Sequence, residues 1–298
     1  MAAALAAVLG LAAIPAAAWV LSPSTSGILG RVRADVRLHR GAEVPLDRIA
    51  PQLRQAVVDT EDERFYRHHG VDVIGILRAA AYDASHLTFT QGASTITEQL
   101  AKDLYLGGND HSVWRKLEDA AMALRIEAQL SKEQILDAYL NELYFGHGAY
   151  GIGPAARRYF GVRPGRLTLA QATLIAGLAQ APSTDDPFTN PTAGRFRQED
   201  VLVSMIRNHD VTIGEAARVL GRPLHLAGGP TLPLLHGADL APGQAFSGWQ
   251  MAAGLAFLVG GVIALIALRR RGRRLWRLAP AVGTIAGLLL VARALHGD

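Results

Sequence analysis

Acids stand directly before an aromatic, basic turn in Glu61-Asp62-Glu63-Arg64-Phe65-Tyr66-Arg67-His68-His69-Gly70. Some 20 residues later a polar loop, Gln91-Gly92-Ala93-Ser94-Thr95-Ile96-Thr97-Glu98-Gln99, runs into a helical pattern. A loop-to-helix junction offers backbone N–H groups without helical partners, a natural seat for phosphate or sugar. Lys102, Arg115 and Lys116 follow and can add positive charge. Taken singly, each of these groups reads as a solvated surface residue. Together they describe a cleft with one carboxylate able to take a proton and several cations able to hold an anion.

Other chemistries are set aside. Gly146-His147-Gly148-Ala149-Tyr150-Gly151 spells G-x-G-x-x-G, but a helical pattern precedes it where a dinucleotide site needs a strand, so it reads as a tight turn. His68-His69 lacks the i, i+4 spacing of a helical zinc pair. No G-x-S-x-G elbow occurs, and the absence of Cys removes disulfides, thiolate zinc sites and cysteine nucleophiles.

The elements that must position these groups are helical. Pro51 opens a pattern with Leu53, Ala56 and Val57 on one face, and Phe65 follows after a turn. Further helices are expected from Ile74 through Ala81, over Thr95–Leu106 and Trp114–Leu130, and over 132–144 behind an N-cap Ser131 with Gln134 completing a capping box. Leu169–Leu178, Gln198–Asn208 and Thr212–Leu220 complete the set, and residues 31–50 read as a short extended lead-in. Strand alternation is scarce, so the fold class is mainly α.

The 298 residues fit one domain of about 200 residues with added segments. Half of them are hydrophobic and 19% are charged, below the ~25% of ordinary soluble domains. The net charge of +4 comes from the C-terminal end: residues 269–298 carry seven Arg and one Asp, leaving 23 basic and 25 acidic residues before them. The main body therefore lacks a basic face for nucleic acid. Met1–Leu21 carries no charged side chain. At ~1.5 Å per residue it can cross a ~30 Å hydrocarbon layer, so 1–22 is expected to be a transmembrane anchor. A signal peptide cut near Ala16-Ala17-Ala18 is the rival reading. A domain at 35–221 and a Gly- and Pro-rich linker at 222–246 follow. Then come a transmembrane helix at 247–268, a cytoplasmic Arg-rich loop at 269–277 and a third span at 278–295, for which a re-entrant or surface helix is the alternative. The positive-inside rule puts the domain on the outer face of the membrane.

Five ordered blocks resemble the peptidoglycan glycosyltransferases, family 51, in their monofunctional form. They are Glu61-Asp62-x-x-Phe65-x-x-His68-x-Gly70; Gly92-x-Ser94-Thr95-Ile96-Thr97-x-Gln99-Leu100-Ala101-Lys102; Arg115-Lys116; Lys132-x-x-Ile135-Leu136-x-x-Tyr139-Leu140-Asn141; and Tyr144-Phe145-Gly146-x-Gly148, with Ala155-Ala156 and Tyr159-Phe160-Gly161 beyond. The resemblance covers about 50–210. It implies a lysozyme-like glycosyltransferase domain with flanking transmembrane helices, at the bacterial inner membrane and facing the periplasm. It implies polymerisation of lipid II into glycan strands, with the membrane, lipid II and nascent glycan as partners alongside other wall-synthesis proteins. Glu61 and Asp119 become the catalytic residues. Ser94, Thr95, Gln99, Lys102, Arg115, Lys116 and Asn141 become substrate-binding, and a divalent metal such as Mg is a candidate at the pyrophosphate, with no ligand set assigned.

Several positions depart from the family pattern. Asp119 stands for a usual Glu, Glu98 for Gln, Ala93 for Gly and Asp137 for Glu. Glu118 replaces a basic or polar residue, and His111 sits near a usual Arg. Added negative charge near a pyrophosphate is unfavourable. A membrane scaffold that binds lipid II without turnover is therefore the alternative reading, and a wall-cleaving lysozyme-like enzyme a more distant one.

Overall fold

The computed structural model describes residues 19–39, 41–86, 94–106 and 112–235. The chain divides into two compact units, one of residues 1–76 with 92–245 and one of 77–91 with 246–298. The second is described only at 77–86, where α3 continues.

Ten α-helices are described: α1 Ile28–Leu38, α2 Pro51–Glu61, α3 Val73–His86, α4 Ile96–Ala101, α5 Val113–Glu127, α6 Lys132–Glu142, α7 Ile152–Phe160, α8 Leu169–Gly177, α9 Pro191–Arg207 and α10 Ile213–Leu220. Their starts are written in the sequence. Pro51 and Pro191 stand in the first turns of α2 and α9, where a missing N–H costs nothing. Thr95, Ser131, Thr168 and Thr212 cap α4, α6, α8 and α10, each with a Glu or Gln three residues on closing the capping box.

Apolar burial then assembles the helices. In the first unit α2 packs against α8 and α9, which also pack on each other. Leu53, Ala56 and Val57 supply the inner face of α2, each large side chain contributing ~1.5–3 kcal/mol when fully buried. A second layer forms where α4 packs on α5 and α6, and α1 lies on α6. Ile28, Val32 and Val36 form a buried i, i+4, i+8 stripe on α1. The lead-in expected to be extended is thus a helix over most of its first half, because charged residues alternate with that stripe and mask its period.

Two further differences concern the edges of the domain. The helix expected over Thr95–Leu106 is α4 followed by a wider π turn, Lys102–Leu106. The Gly- and Pro-rich stretch read as a linker holds a small antiparallel hairpin, β1 Leu224–His225 with β2 Thr231–Leu232. Leu224, Leu226 and Leu232 of this hairpin are buried in the core. Residues 236–246 lie outside the described part.

The expected architecture of a lysozyme-like domain flanked by transmembrane helices needs correction. Among the described residues no helix is long and apolar enough to cross a membrane. The longest, α9, has 17 residues and carries Arg195, Arg197, Glu199, Asp200 and Arg207, charges that hydrocarbon would not tolerate. What stands is a mainly α-helical domain. Of the expected anchor at 1–22 only residues 19–22 are described. The expected segments 247–268, 269–277 and 278–295 lie outside the described residues.

Candidate active site

The site begins at the last residue of α2, Glu61. Its neighbour Asp62 is buried and ties three segments together. Its carboxylate accepts hydrogen bonds from His68 Nε2 at 2.9 Å and from the Ile96 backbone N–H, at the start of α4, at 3.1 Å. Gly70 closes the turn against α5. Its φ of +86° suits glycine, and a Cβ there would lie 2.8 Å from the Ala123 carbonyl carbon. The acidic turn and the polar loop, 30 residues apart in sequence, are thereby fixed side by side.

They open into a groove of about 740 Å³. Glu61 and Asp119, both expected to be catalytic, line it. So do Ser94, Gln99, Lys102, Arg115 and Lys116 of the expected substrate-binding set. Arg197 of α9 lines it as well. Sequence reading missed this cation because nothing in the charged run 195–200 separates a groove residue from a surface one. Three carboxyl groups, Asp35, Asp103 and Glu142, also line the groove, beside Tyr144 and Tyr150. Burial and the hydrogen-bonded Asp35 carboxyl push Glu142 up to about 8.

Glu61 is partly exposed to this groove. Burial of its carboxyl raises its pKa above the ordinary value. The Gln99 amide and the charge of Arg197 pull the other way, while Asp62 adds to the rise. Gln99 Nε2 donates to Glu61 Oε2 at 2.9 Å, and the buried Tyr139 donates its hydroxyl to Gln99 Oε1 at 2.9 Å. The carboxyl is thus raised by burial yet held by a donor to its ionised form.

Asp119, on α5, is only 3% exposed. Arg115 Nε lies 3.3 Å and Lys116 Nζ 3.8 Å from its carboxylate. Burial raises its pKa against the pull of Lys116, Arg115 and Lys102. Lys116 also donates to Ser94 Oγ at 2.7 Å, so the loop before α4 is strapped to α5.

Two residues of the expected substrate-binding set are engaged with backbone. Thr95 is 1% exposed, and its hydroxyl donates to the Gly70 carbonyl at 2.6 Å while accepting the Glu98 N–H at 3.1 Å. Asn141 is buried, and its amide is spent on the Val44 N–H, the Val44 carbonyl and the Asp137 carbonyl. Neither lines the groove, because both side chains hold backbone together.

Some departures from the family pattern find local roles. Glu98 accepts the Thr95 N–H at 2.9 Å as the second half of the α4 capping box. Glu118 accepts the Trp114 indole N–H at 2.7 Å. His111 and Ala93 lie outside the described residues. For the candidate divalent metal, no group of three or more His, Asp or Glu side chains among the described residues could hold a metal ion.

The family model described as Transglycosylase matches residues 29–206, more than half of the chain. A Cupriavidus necator protein provisionally named a transglycosylase is 44% identical over 188 residues, 63% of this chain and 80% of that one. Penicillin-binding protein 1A of Escherichia coli K12 is 42% identical over 183 residues, 61% of this chain and 21% of the relative. The protein of the same name from Neisseria gonorrhoeae is 42% identical over 173 residues, 58% of this chain and 22% of the relative. The chain thus spans about a fifth of those penicillin-binding proteins. The crystal structure of penicillin-binding protein 1A from Haemophilus influenzae matches 32% of this chain and 14% of that one at 34% identity. Its TM-score is 0.31, too low for a shared fold to be read from it.

Proposed function

The chain belongs to the transglycosylase family, and on that premise we propose that it polymerises lipid II into glycan strands. The observation that carries this reading is one groove holding the Glu61 carboxylate together with Lys102, Arg115 and Lys116. In the proposed reaction the 4-hydroxyl of one sugar attacks the anomeric carbon of another. A new glycosidic bond forms as the bond to the lipid pyrophosphate breaks. Glu61 takes the hydroxyl proton, since a neutral alcohol is a poor nucleophile. The leaving pyrophosphate keeps the bonding electrons, and the three cations stabilise the charge it gathers. Attack opposite the leaving group inverts the anomeric centre.

Asp119 holds Arg115 and Lys116 in place at the cationic wall. Ser94 and Gln99 offer hydrogen bonds within the groove. Val73, Ile74 and Ile76, exposed at the start of α3, supply an apolar surface for the bilayer in which the substrate lipid resides, on the periplasmic face.

Glu98, an acid where the family pattern has Gln and part of the same groove lining, favours a second reading. It neutralises part of the positive charge a pyrophosphate would use, as expected of a lipid II-binding scaffold without turnover. Both readings are tested with the full-length protein in vesicles containing lipid II. Polymer from the wild type and not from Glu61→Gln supports the enzyme. Equal polymer from both removes Glu61 as the base. Retained lipid II binding with no polymer from either makes the chain a scaffold.

A further inference from the structure

We infer that Tyr139 is a positioning residue for the base: it locks the Gln99 side-chain amide so that its NH₂ group faces the Glu61 carboxylate. This rests on Glu61 acting as proposed above.

The argument starts from donor and acceptor inventory. A glutamine amide has a donating end and an accepting end, and rotation about its last bond exchanges them. With the NH₂ end at Glu61, the amide donates to an ionised carboxylate. With the carbonyl end there, only a protonated carboxyl can complete the hydrogen bond. The choice between the two orientations is therefore also a choice between ionised and protonated Glu61.

Tyr139 makes that choice, because its hydroxyl donates to Gln99 and a reversed amide would take this acceptor away from a buried hydrogen. It lies on α6, is 1% exposed, and donates its hydroxyl to Gln99 Oε1 at 2.9 Å. Burial, with the neighbouring charges of Glu61, Asp103 and Asp62, raises the phenol well above its ordinary pKa. It stays protonated wherever the site works. The chain Tyr139 Oη to Gln99 Oε1, then Gln99 Nε2 to Glu61 Oε2 at 2.9 Å, runs from the buried face of α6 through α4 to the end of α2. The other charges acting on Glu61 are Arg197 from α9, which favours ionisation, and Asp62 from the adjoining turn, which opposes it. Lys102, Glu98 and Asp103 from α4 and its π turn, Arg115, Lys116 and Asp119 from α5, Asp35 from α1 and Glu142 from α6 complete the charged lining shared with Glu61. None of them distinguishes the two ends of the amide as the tyrosine hydroxyl does.

The test is the pH profile of lipid II polymerisation by the full-length protein in vesicles. Because the base must be ionised, turnover rises with pH through the Glu61 pKa. Tyr139→Phe should move this acid limb to higher pH by about one unit, lowering kcat roughly tenfold on the limb while KM for lipid II stays within about twofold. Raising the pH should restore most of the lost rate. Gln99→Met should shift the limb in the same direction, and Tyr139→Phe added to it should produce no further shift, as expected of two groups in one chain. A merely structural role would lower thermal stability and leave the limb where it is.

An unmoved limb in folded Tyr139→Phe overturns the inference, as does an undiminished shift on the Gln99→Met background. If Tyr139→Phe does not fold, Gln99→Met decides: an unmoved limb leaves Tyr139 nothing to act through. The Glu61→Gln control separates the two levels. Wild-type turnover there defeats the base itself, whereas lost turnover with an unmoved Tyr139→Phe limb defeats only the positioning role.

Discussion

The C-terminal end of α2 presents two carboxyls on opposite sides of one helix. Asp59 and Glu61 are two residues apart, about 200° around the axis. Each accepts a hydrogen bond from a glutamine amide, Gln55 to Asp59 at 3.0 Å and Gln99 to Glu61 at 2.9 Å. Burial is the largest cause raising the pKa of both, and Asp59 reaches about 7. The difference lies in what faces them. Gln55 is on the same helix, and its amide also donates at 2.9 Å to Asp210, so the buried Asp59 meets a second, exposed acid. Gln99 comes from α4, and Glu61 meets Arg197 and an open groove. Similar local chemistry serves packing on one side and a candidate reaction on the other, so a raised carboxyl alone does not locate an active site.

The strongest test of that contrast is Glu61→Gln. Turnover should fall by roughly 10²–10⁴-fold, the usual contribution of a general base, while lipid II binding and the melting temperature hold. Radiolabelled polymer assays and calorimetry would measure both. If unfolding accounted for the lost activity, Glu61 would belong with Asp59 as a packing residue.

Asp59→Asn should do the reverse. A carboxyl whose pKa is raised on folding favours the fold only while protonated. That contribution is complete below the unfolded pKa near 4 and lost as pH rises through about 7. The wild type should lose stability across this window relative to Asp59→Asn, by less than the ~1.4 kcal/mol per pH unit of an unscreened group, because solvent and Asp210 share the effect. Denaturant titrations at pH 5 and pH 8 would show it, with lipid II turnover at neutral pH unchanged. Parallel pH dependence in the two proteins would mean that Asp59 ionises without cost.

A smaller effect separates groove from brace at α4. Thr95→Val removes an N-cap and the bond to the Gly70 carbonyl, so stability should drop by about 1–2 kcal/mol. KM for lipid II should remain constant. A raised KM in a stably folded variant would return Thr95 to the substrate. The smallest change is expected for Asp119→Glu, which restores one methylene. It should raise turnover a few-fold, under ~1 kcal/mol in the barrier. Equal or lower turnover would mean that Arg115 and Lys116 are already placed around the shorter acid.

Much of the helical framework was legible in the chain because local rules agree with the fold. Ser131 with Gln134, and Pro51 ahead of Leu53, Ala56 and Val57, announce α6 and α2 without reference to anything distant. Where local signals compete, reading fails. The stripe Ile28, Val32, Val36 is interleaved with Arg31, Arg33, Asp35 and Arg37, so a helix reads as an extended stretch. Gly and Pro in 222–235 suggest a free linker, yet three leucines there find the core.

The sequence by itself determined the residue types available for chemistry and the starts of many helices, since capping, turn formation and apolar period act within a few residues. It also carried the resemblance that named Glu61. Only the tertiary structure decided which polar groups meet. Thr95 and Asn141 turned inward to satisfy backbone, Arg197 arrived from a helix 136 positions beyond Glu61, and Tyr139 reached the base through Gln99. The reason is that a buried donor or acceptor must find a partner wherever the packed helices bring one, and that partner's place in the chain leaves no local signature.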